Sequence, residues 1–244
     1  MELAANIEKY RAQLEGTLKT TNEIKFTLEE TKPWESKLGG CPYLERLEDY
    51  PLGTDGAPMM LLAQINFDDM PPLEDFPKTG LLQFFVEADE MYGLDAPCKL
   101  RYIKKYKKDE KYTIRANPYQ KSYKDFEPFD RNGKMNFTQT QMPLSFTTAR
   151  FEELFGDVAD NDEKNNLCSA CDASKSRVGG YPFFVQNSLP YYDDGECDVL
   201  LLQLDVEGTC GIMFGDSGNC TFLISREKLR KCDFSDVEYD WQCC

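Results

Sequence analysis

Apolar residues recur at spacings of three and four at the start of the chain. Charged residues separate the members of this stripe, which are Leu3, Ile7, Tyr10, Leu14 and Leu18. This spacing places apolar side chains on one face of a helix. The pattern therefore predicts an amphipathic N-terminal helix over residues 1–20, with Gly16 weakening its last turn.

After this helix the chain changes to short apolar runs separated by Pro, Gly, Asn and Asp, a pattern typical of strands and turns. The clearest predicted strands are residues 59–65 and 81–86. Between them lie Pro71, Pro72 and Pro77, which exclude a central strand because proline fixes φ and lacks an N–H.

The middle of the chain is predicted to contain inserted β-hairpins over residues 99–145. Residues 101–106 and 112–115 are expected to pair as one hairpin. Asn132 and Gly133 form a dipeptide favoured in tight hairpin turns, and they indicate a second hairpin.

A second helical pattern follows Pro143. Thr147 or Thr148 is the predicted N-cap, and Gly156 is the predicted end of this short helix. Residues 157–170 are then predicted to form a linker, because the first part of this segment is polar and acidic.

The chain also resembles itself at offsets of 140, 139 and 138 residues. The matched blocks are Ser36, Gly39, Gly40 and Pro42 with Ser176, Gly179, Gly180 and Pro182; Leu61, Leu62, Gln64 and Ile65 with Leu200, Leu201, Gln203 and Leu204; and Gly80, Phe84, Phe85 and Val86 with Gly218, Phe222, Leu223 and Ile224. Three blocks in one order predict two copies of a β-rich unit, over about residues 34–92 and 174–230.

These patterns together predict a mainly β (α+β) fold. Each repeat alone would leave one apolar sheet face in water, so the two are expected to pack together. We therefore expect two pseudo-symmetric β-rich repeats packed as a single domain over residues 1–244, with an N-terminal helix and a short helical middle segment.

Several stretches of the chain carry a resemblance to a known family. They are residues 36–43, 58–71, 76–86, 179–186 and 198–244. In these stretches the sequence resembles the YwqG-like family, a bacterial domain family of unknown function, and the resemblance is weakest between residues 88 and 167. It implies a mainly β fold with internal pseudo-symmetry, and it supplies no catalytic residues.

The composition predicts a folded cytoplasmic protein. Apolar residues make up 41% of the chain, enough for a buried core. We expect neither export nor a membrane span, because the chain has no long uncharged apolar run and no signal-like N-terminus. The ten cysteines are interpreted as reduced thiols, and Cys210 and Cys220 are expected to pack as small hydrophobes.

The net charge of −15 disfavours nucleic acid and anionic lipid as partners and favours a basic protein. Residues 99–124 differ from the rest of the chain. They contain ten Lys or Arg and two acids, a charge of +8 that leaves −23 elsewhere. Tyrosines alternate with the lysines, so this segment is either a lysine-protected sheet edge or, less favoured, a nucleic-acid surface.

The absence of histidine excludes every mechanism that needs an imidazole. Gly215–Gly218 contains Ser217 in a sequence resembling a serine-protease loop, but no histidine can activate that serine, so we interpret it as a turn beside a strand. The chain contains no glycine-rich phosphate-binding loop either.

Metal and cofactor sites are not predicted. Cys168 and Cys171 have CxxC spacing, which leaves zinc binding and redox chemistry open beside an incidental pair, although no second CxxC completes a zinc site. Asp193, Asp194, Glu196 and Asp198 lack the pattern of a calcium loop, so they are interpreted as solvated turns.

The leading functional hypothesis is a non-enzymatic interaction protein whose acidic surface binds a basic protein, with neutralisation of a toxin or nuclease as one form. The alternative is a small-molecule or enzymatic site in the cleft between the two repeats. Candidate lining residues for that cleft are Gln64, Asn66, Asp68, Gln203, Asp205 and Asp216. The repeated glutamine could instead bond a neighbouring backbone group.

Overall fold

The computed structural model of the chain describes residues 2–244. Its strands form one antiparallel ten-stranded sheet that curls into a half-barrel, which confirms the mainly β prediction. The strands are β1 (Lys19–Thr27), β2 (Lys37–Leu38), β3 (Met60–Asn66), β4 (Leu81–Val86), β5 (Lys99–Ile103), β6 (Gly133–Met142), β7 (Arg177–Gly179), β8 (Val199–Leu204), β9 (Asn219–Ile224) and β10 (Glu238–Gln242).

Six short α-helices accompany these strands in residues 2–244, one before β1 and the others between strands. They are α1 (Arg11–Glu15), α2 (Gln120–Tyr123), α3 (Ala149–Phe155), α4 (Asn161–Ala170), α5 (Pro190–Asp193) and α6 (Arg226–Arg230). Further single turns are 3-10 helices at Ala5–Tyr10, Leu47–Asp49, Glu110–Tyr112 and Lys124–Phe126. Within the described chain, every helix is too short or too polar to cross a membrane.

The sheet is arranged around a central pair of strands, β1 and β6. Their register runs from Lys19 opposite Met142 to Thr27 opposite Lys134. Strands β2 to β5 continue the sheet from β6 in chain order, and strands β7 to β10 continue it from β1. We call these two sets of strands the first arm and the second arm. The pairing of β3 with β4 shifts its register after Leu61, and the pairing of β8 with β9 shifts its register after Leu200.

The four inner strands of the arms, β3, β4, β8 and β9, are buried along their whole length. The curl of the sheet covers one of their faces, and the loops after β2 and β7 cover the other. Tyr43 packs on Leu81 in the first arm, and Phe184 packs on Leu200 and Leu223 in the second. Burial on both faces explains why these strands are continuous apolar runs in the sequence.

The two arms meet inside the curl. The rings of Phe84 and Phe222 form an edge contact with centroids 4.9 Å apart. At the outer ends, the Tyr239 hydroxyl donates to the Tyr92 carbonyl at 2.8 Å. A separate apolar cluster joins α1, α3 and α4, and it includes Leu14, Phe151, Phe155 and Leu167.

The predicted N-terminal helix over residues 1–20 is too long. Helical structure ends at Glu15, and β1 begins at Lys19. Strand β1 was not predicted, because its sequence is mostly polar. Its threonines and Ile24 nevertheless favour a strand, and β1 obtains hydrogen-bonding partners on both sides from β6 and β7.

The predicted hairpins over residues 99–145 do not form. Strand β5 pairs with β4, and residues 104–132 contain turns and short helices rather than a return strand. Gly133 begins β6, which pairs with β1 and β2. The physical reason is that the buried strand β4 needs a second partner, and β5 supplies it.

The predicted linker over residues 157–170 is largely helical. Asp160 is the N-cap of α4, and its side chain accepts from the backbone N–H of Glu163 at 2.8 Å. Leu167 is buried and anchors this otherwise polar helix. The preceding helix is confirmed as α3, which ends at Gly156.

Candidate functional site

A cavity of about 440 Å³ lies between the central strands, the proline-rich loop of residues 71–77 and the second arm. We call it the interarm cavity. Its polar lining includes Lys19, Thr20, Glu74, Gln139, Asp198 and Arg226, and its apolar lining includes Leu18, Leu73, Phe76 and Val199. The volume is within the usual range of small-molecule sites, about 300–1,000 Å³.

Lys19 is the unusual group of this lining. Its ammonium lies 4.1 Å from the ring centroid of Tyr181, and it forms no ion pair with a carboxylate anywhere in residues 2–244. Burial lowers the pKa of Lys19, and the positive charge of Arg226 lowers it further, while Asp198 acts in the opposite direction. An anion beside Nζ would offset both unfavourable effects.

Arg226 is already neutralised by two carboxylates. Its backbone N–H and its Nε donate to the Asp198 carboxylate at 3.0 and 3.1 Å. Its Nη1 donates to Asp75 at 2.5 Å, and Arg230 Nε donates to the other oxygen of Asp75 at 2.6 Å. These ion pairs join the proline-rich loop to α6, so the main role of Arg226 is to hold the cavity together.

The other end of the proline-rich loop is held by amide side chains of the central strands. Asn22 Nδ2 donates to the Pro71 carbonyl at 2.7 Å, and Gln139 Nε2 donates to the Pro72 carbonyl at 2.9 Å. Gly179 has a φ of +72°, and an added Cβ there would come within 2.8 Å of a Leu73 methyl carbon. The loop is therefore a fixed wall of the cavity.

We expect Asp75→Asn to lower the free energy of unfolding by about 1–2 kcal/mol, because Arg230 loses its carboxylate partner and Arg226 loses one of its two. Arg230 and Arg226 hold the pKa of Asp75 below its usual range. Because the pKa of Asp75 is lower in the folded protein, its ion pairs contribute their full stability at pH values above the pKa of an aspartate in the unfolded chain, about 3.9. This contribution is lost as the pH falls through the lower pKa of the folded protein.

Urea unfolding at about pH 7 and about pH 3 measures this prediction. The difference in the free energy of unfolding between wild type and Asp75→Asn should be smaller at the lower pH. Asp125→Asn is the control, since Asp125 is exposed and bonds no other described side chain. Equal unfolding free energies for the two variants would contradict the proposed role of the Asp75 ion pairs in holding the proline-rich loop to α6.

The predicted cleft residues of the first arm bond within the protein. Gln64 is buried, and its Oε1 accepts from the backbone N–H of Tyr43 at 2.8 Å. Asn66 is buried as well, and its Oδ1 accepts from the backbone N–H of Asp68 at 2.9 Å. The carboxylate of Asp68 accepts from the backbone N–H of Gly80 at 3.0 Å.

The second arm repeats part of this arrangement. Gln203 Oε1 accepts from the backbone N–H of Phe183 at 2.8 Å, and its Nε2 donates to the Lys175 carbonyl at 2.9 Å. Asp205 accepts from the backbone N–H of Lys175 at 2.5 Å, and Asp216 lies exposed in the turn before β9. None of the six predicted residues lines the interarm cavity, and their role in ligand binding stays a prediction.

The cysteine pair lies at the end of α4. Burial raises the pKa of Cys168, and it raises the pKa of Cys171 to about 12, which disfavours the reactive thiolate. In the part of the chain that the structure describes, no group of three or more potential metal ligands comes together. Ser217 lies in a turn with a φ of +58°, next to β9, as predicted.

The tyrosines of the basic segment are engaged inside the protein, except for Tyr112, which is exposed. The hydroxyl of Tyr102 donates to the Thr79 carbonyl at 2.9 Å, and the hydroxyl of Tyr106 donates to Asp68 at 3.1 Å. Tyr123 is buried. This arrangement fits a sheet edge protected by lysines better than a set of stacking platforms for bases.

Comparison with known proteins gives a family and no activity. A family model described as a domain of unknown function (DUF1963) matches residues 36–243. No curated protein matches the chain. The YwqG-like name stays a prediction.

Proposed function

The chain belongs to the DUF1963 family, whose function is unknown, and we propose from its geometry that it binds a small organic anion in the interarm cavity. The observation that carries this proposal is the ammonium of Lys19. Lys19 is half-buried and lines the cavity of about 440 Å³, and its ammonium forms no ion pair with a carboxylate within residues 2–244, in a protein with 43 acidic residues. Charges that are partly withdrawn from water are normally paired, so this ammonium is a position for an anionic ligand group.

The shape of the site supports a small molecule rather than a macromolecule. Leu18, Leu73, Phe76 and Val199 contribute apolar lining, and a few charged groups line the same cavity. An apolar wall with few polar groups is typical of small-molecule sites. The walls of the cavity come from separate parts of the chain. The ion pairs of Asp75 with Arg226 and Arg230 hold two of these parts, the proline-rich loop and α6, together.

The proposed cleft depends on a duplicated scaffold, which we also propose. The Ser36 hydroxyl accepts from the backbone N–H of Asn66 at 2.8 Å, and the Ser176 hydroxyl accepts from that of Asp205 at 2.9 Å. The two repeated glutamines accept from backbone N–H groups at matching positions. Matched contacts and matched strand order support two repeats within a single domain over residues 1–244.

The glycine pairs of the two arms have different surroundings. An added Cβ at Gly39 would lie 2.6 Å from both Phe129 and Asn132, and Asn117 donates to the Gly40 carbonyl at 3.2 Å. Side chains of the chain itself therefore cover the glycine pair of the first arm. In the second arm, Leu73 and Met142 lie just as close, at 2.8 and 2.6 Å from Cβ atoms added at Gly179 and Gly180, and this pair also lines the interarm cavity. Of the two glycine pairs, the second therefore borders the proposed site.

Lys19→Met is expected to weaken the binding of 4-methylpentanoate, a small carboxylate with an apolar tail, about tenfold or more. Methionine keeps the length of the side chain and removes the charge. Isothermal titration calorimetry at low ionic strength measures the affinity, and urea unfolding checks that the variant folds.

Lys25→Met is the matched control for this experiment. Lys25 lies on the same strand, is exposed and makes no ion pair within residues 2–244. Its replacement should leave the affinity unchanged. Equal affinities for Lys19→Met and wild type, or no binding of the probe to either, would overturn the proposal.

Protein binding through the acidic surface is the second candidate function, and the net charge of −15 favours it. The turn at Asp193, Asp194 and Glu196 is exposed and offers a compact group of negative charges. A basic toxin or nuclease is a suitable partner in charge. All ten cysteines are free, which supports a reducing compartment such as the cytoplasm.

Affinity capture from the native host at low and high salt tests this candidate. The expected result is a basic protein that binds at low salt and is released at high salt. Asp193→Asn with Asp194→Asn should weaken its capture, whereas the same change at Asp125 should not. A failure to capture any salt-sensitive partner would count against the candidate.

A further inference from the structure

Two charges of the interarm cavity lack a partner, and they have opposite signs. Lys19 forms no ion pair within the described chain, and Glu74 is exposed and forms neither an ion pair nor a side-chain hydrogen bond there. The other charged lining groups, Asp198 and Arg226, bind each other. The cavity therefore offers one cationic and one anionic group to a ligand.

A simple anion would satisfy only half of this arrangement. Bound beside Lys19, it would share the cavity with the unpaired carboxylate of Glu74, and the two like charges would repel each other. A ligand that carries an ammonium as well as a carboxylate would use both groups. Hydrogen bonds to charged groups are stronger than those between neutral groups, so a zwitterion gains affinity from the second contact.

The apolar residues of the lining indicate what kind of side chain the ligand carries. Leu18, Leu73, Phe76 and Val199 provide an apolar wall of the cavity. Leu73 is fixed against Gly179, and Val199 begins a buried strand, so this wall is rigid. An apolar side chain that packs on this wall contributes to affinity in proportion to the apolar area that it removes from water.

We propose that the ligand of the interarm cavity is a free α-amino acid with an apolar side chain. Lys19 binds its carboxylate, Glu74 binds its ammonium, and the apolar wall contacts its side chain. The inference rests on the proposed anion-binding function, and it adds the class of ligand and the role of Glu74.

Three related probes separate the two halves of the ligand. They are leucine, 4-methylpentanoate, which lacks the ammonium, and 3-methylbutylamine, which lacks the carboxylate. By isothermal titration calorimetry at low ionic strength and neutral pH, leucine should bind the wild-type protein about tenfold or more tightly than either analogue.

Glu74→Gln should weaken the binding of leucine about tenfold and leave that of 4-methylpentanoate unchanged or tighter, because only leucine carries the ammonium. Lys19→Met should weaken the binding of both. Glu90→Gln is the matched control, since Glu90 is exposed and does not line the cavity.

The possible failures of the two proposals are distinguishable. If 4-methylpentanoate binds as tightly as leucine and Glu74→Gln changes neither affinity, the amino-acid inference is wrong and anion binding stands. If 3-methylbutylamine alone binds, or if none of the three probes binds, both proposals are wrong.

Discussion

Gln64→Leu is expected to lower the free energy of unfolding by about 4 kcal/mol, because it leaves several buried polar groups without partners. Gln64 Oε1 accepts from the Tyr43 backbone N–H and from Gln83 Nε2, each at 2.8 Å. Its Nε2 donates to the carbonyls of Pro33 and Glu35 at 2.8 and 2.9 Å. Leucine has a similar size and replaces none of these bonds.

Gln203→Leu should have a similar but smaller effect, about 3 kcal/mol. Gln203 forms three such bonds, to Phe183, Ala173 and Lys175, and it has no counterpart of the bond to Gln83. A total stability of about 5–15 kcal/mol is normal for a domain, so either variant would be severely weakened.

Urea unfolding with matched variants measures both effects. Gln141→Leu is the control, because Gln141 is exposed on β6 and bonds no other side chain in the described residues. The control should change stability by no more than about 0.5 kcal/mol. If Gln64→Leu were as stable as Gln141→Leu, the interpretation of Gln64 as a buried structural group would be wrong.

The sequence predicts the inner strands of the arms well. Residues 81–86 were predicted as a strand and form β4, and the predicted strand over residues 59–65 is displaced by one residue from β3. These strands are continuous apolar runs bounded by turns, so burial on both faces is visible in composition alone. Their positions do not depend on distant parts of the chain.

The central strand β1 and helix α4 could not be predicted in the same way. Strand β1 is stabilised by pairing with β6, more than a hundred residues away, and its polar sequence shows no apolar alternation. Helix α4 contains one fully buried apolar residue, Leu167, so its amphipathic pattern is weak. Tertiary contacts decide the structure of both elements.

The sequence predicts the candidate site only in outline. It predicts a cleft between the two repeats, but the residues that it indicates lie at the repeated strand ends, where Gln64 and Gln203 bond within the scaffold. The charged groups of the interarm cavity come from separate segments, and the ion pair between Asp75 and Arg226 joins residues 151 positions apart. Neither local spacing nor the repeat contains that information. The segment around Arg226 was noticed only as part of the family resemblance.

Lys37 is a second test of the scaffold, and it is sensitive to pH. Its ammonium is buried in β2 and donates to the carbonyls of Lys32, Cys41 and Pro33 at 2.7, 3.3 and 3.4 Å. No carboxylate forms an ion pair with it in residues 2–244, and burial lowers the pKa of Lys37 to about 8. The corresponding residue of the second arm, Arg177, is buried in the same way.

The lowered pKa makes wild-type stability rise with pH relative to Lys37→Met. Between about pH 8 and about pH 10.5, the unfolded chain keeps the proton of Lys37 while the folded protein has released it. The unfolded state then binds more protons, so the free energy of unfolding increases with pH. The full increase across this window is about 3 kcal/mol, and it is constant below and above it.

Urea unfolding of wild type and Lys37→Met across this range measures the difference directly, because other titrating groups are common to both proteins. Lys25→Met is the control variant, since Lys25 lies exposed on the central strand β1. A flat or falling difference for Lys37→Met would show that the buried lysine keeps its proton in the folded state. In that case the three carbonyls would stabilise the ammonium as well as water does, and the first arm would tolerate a permanent buried charge, as the second arm does with Arg177.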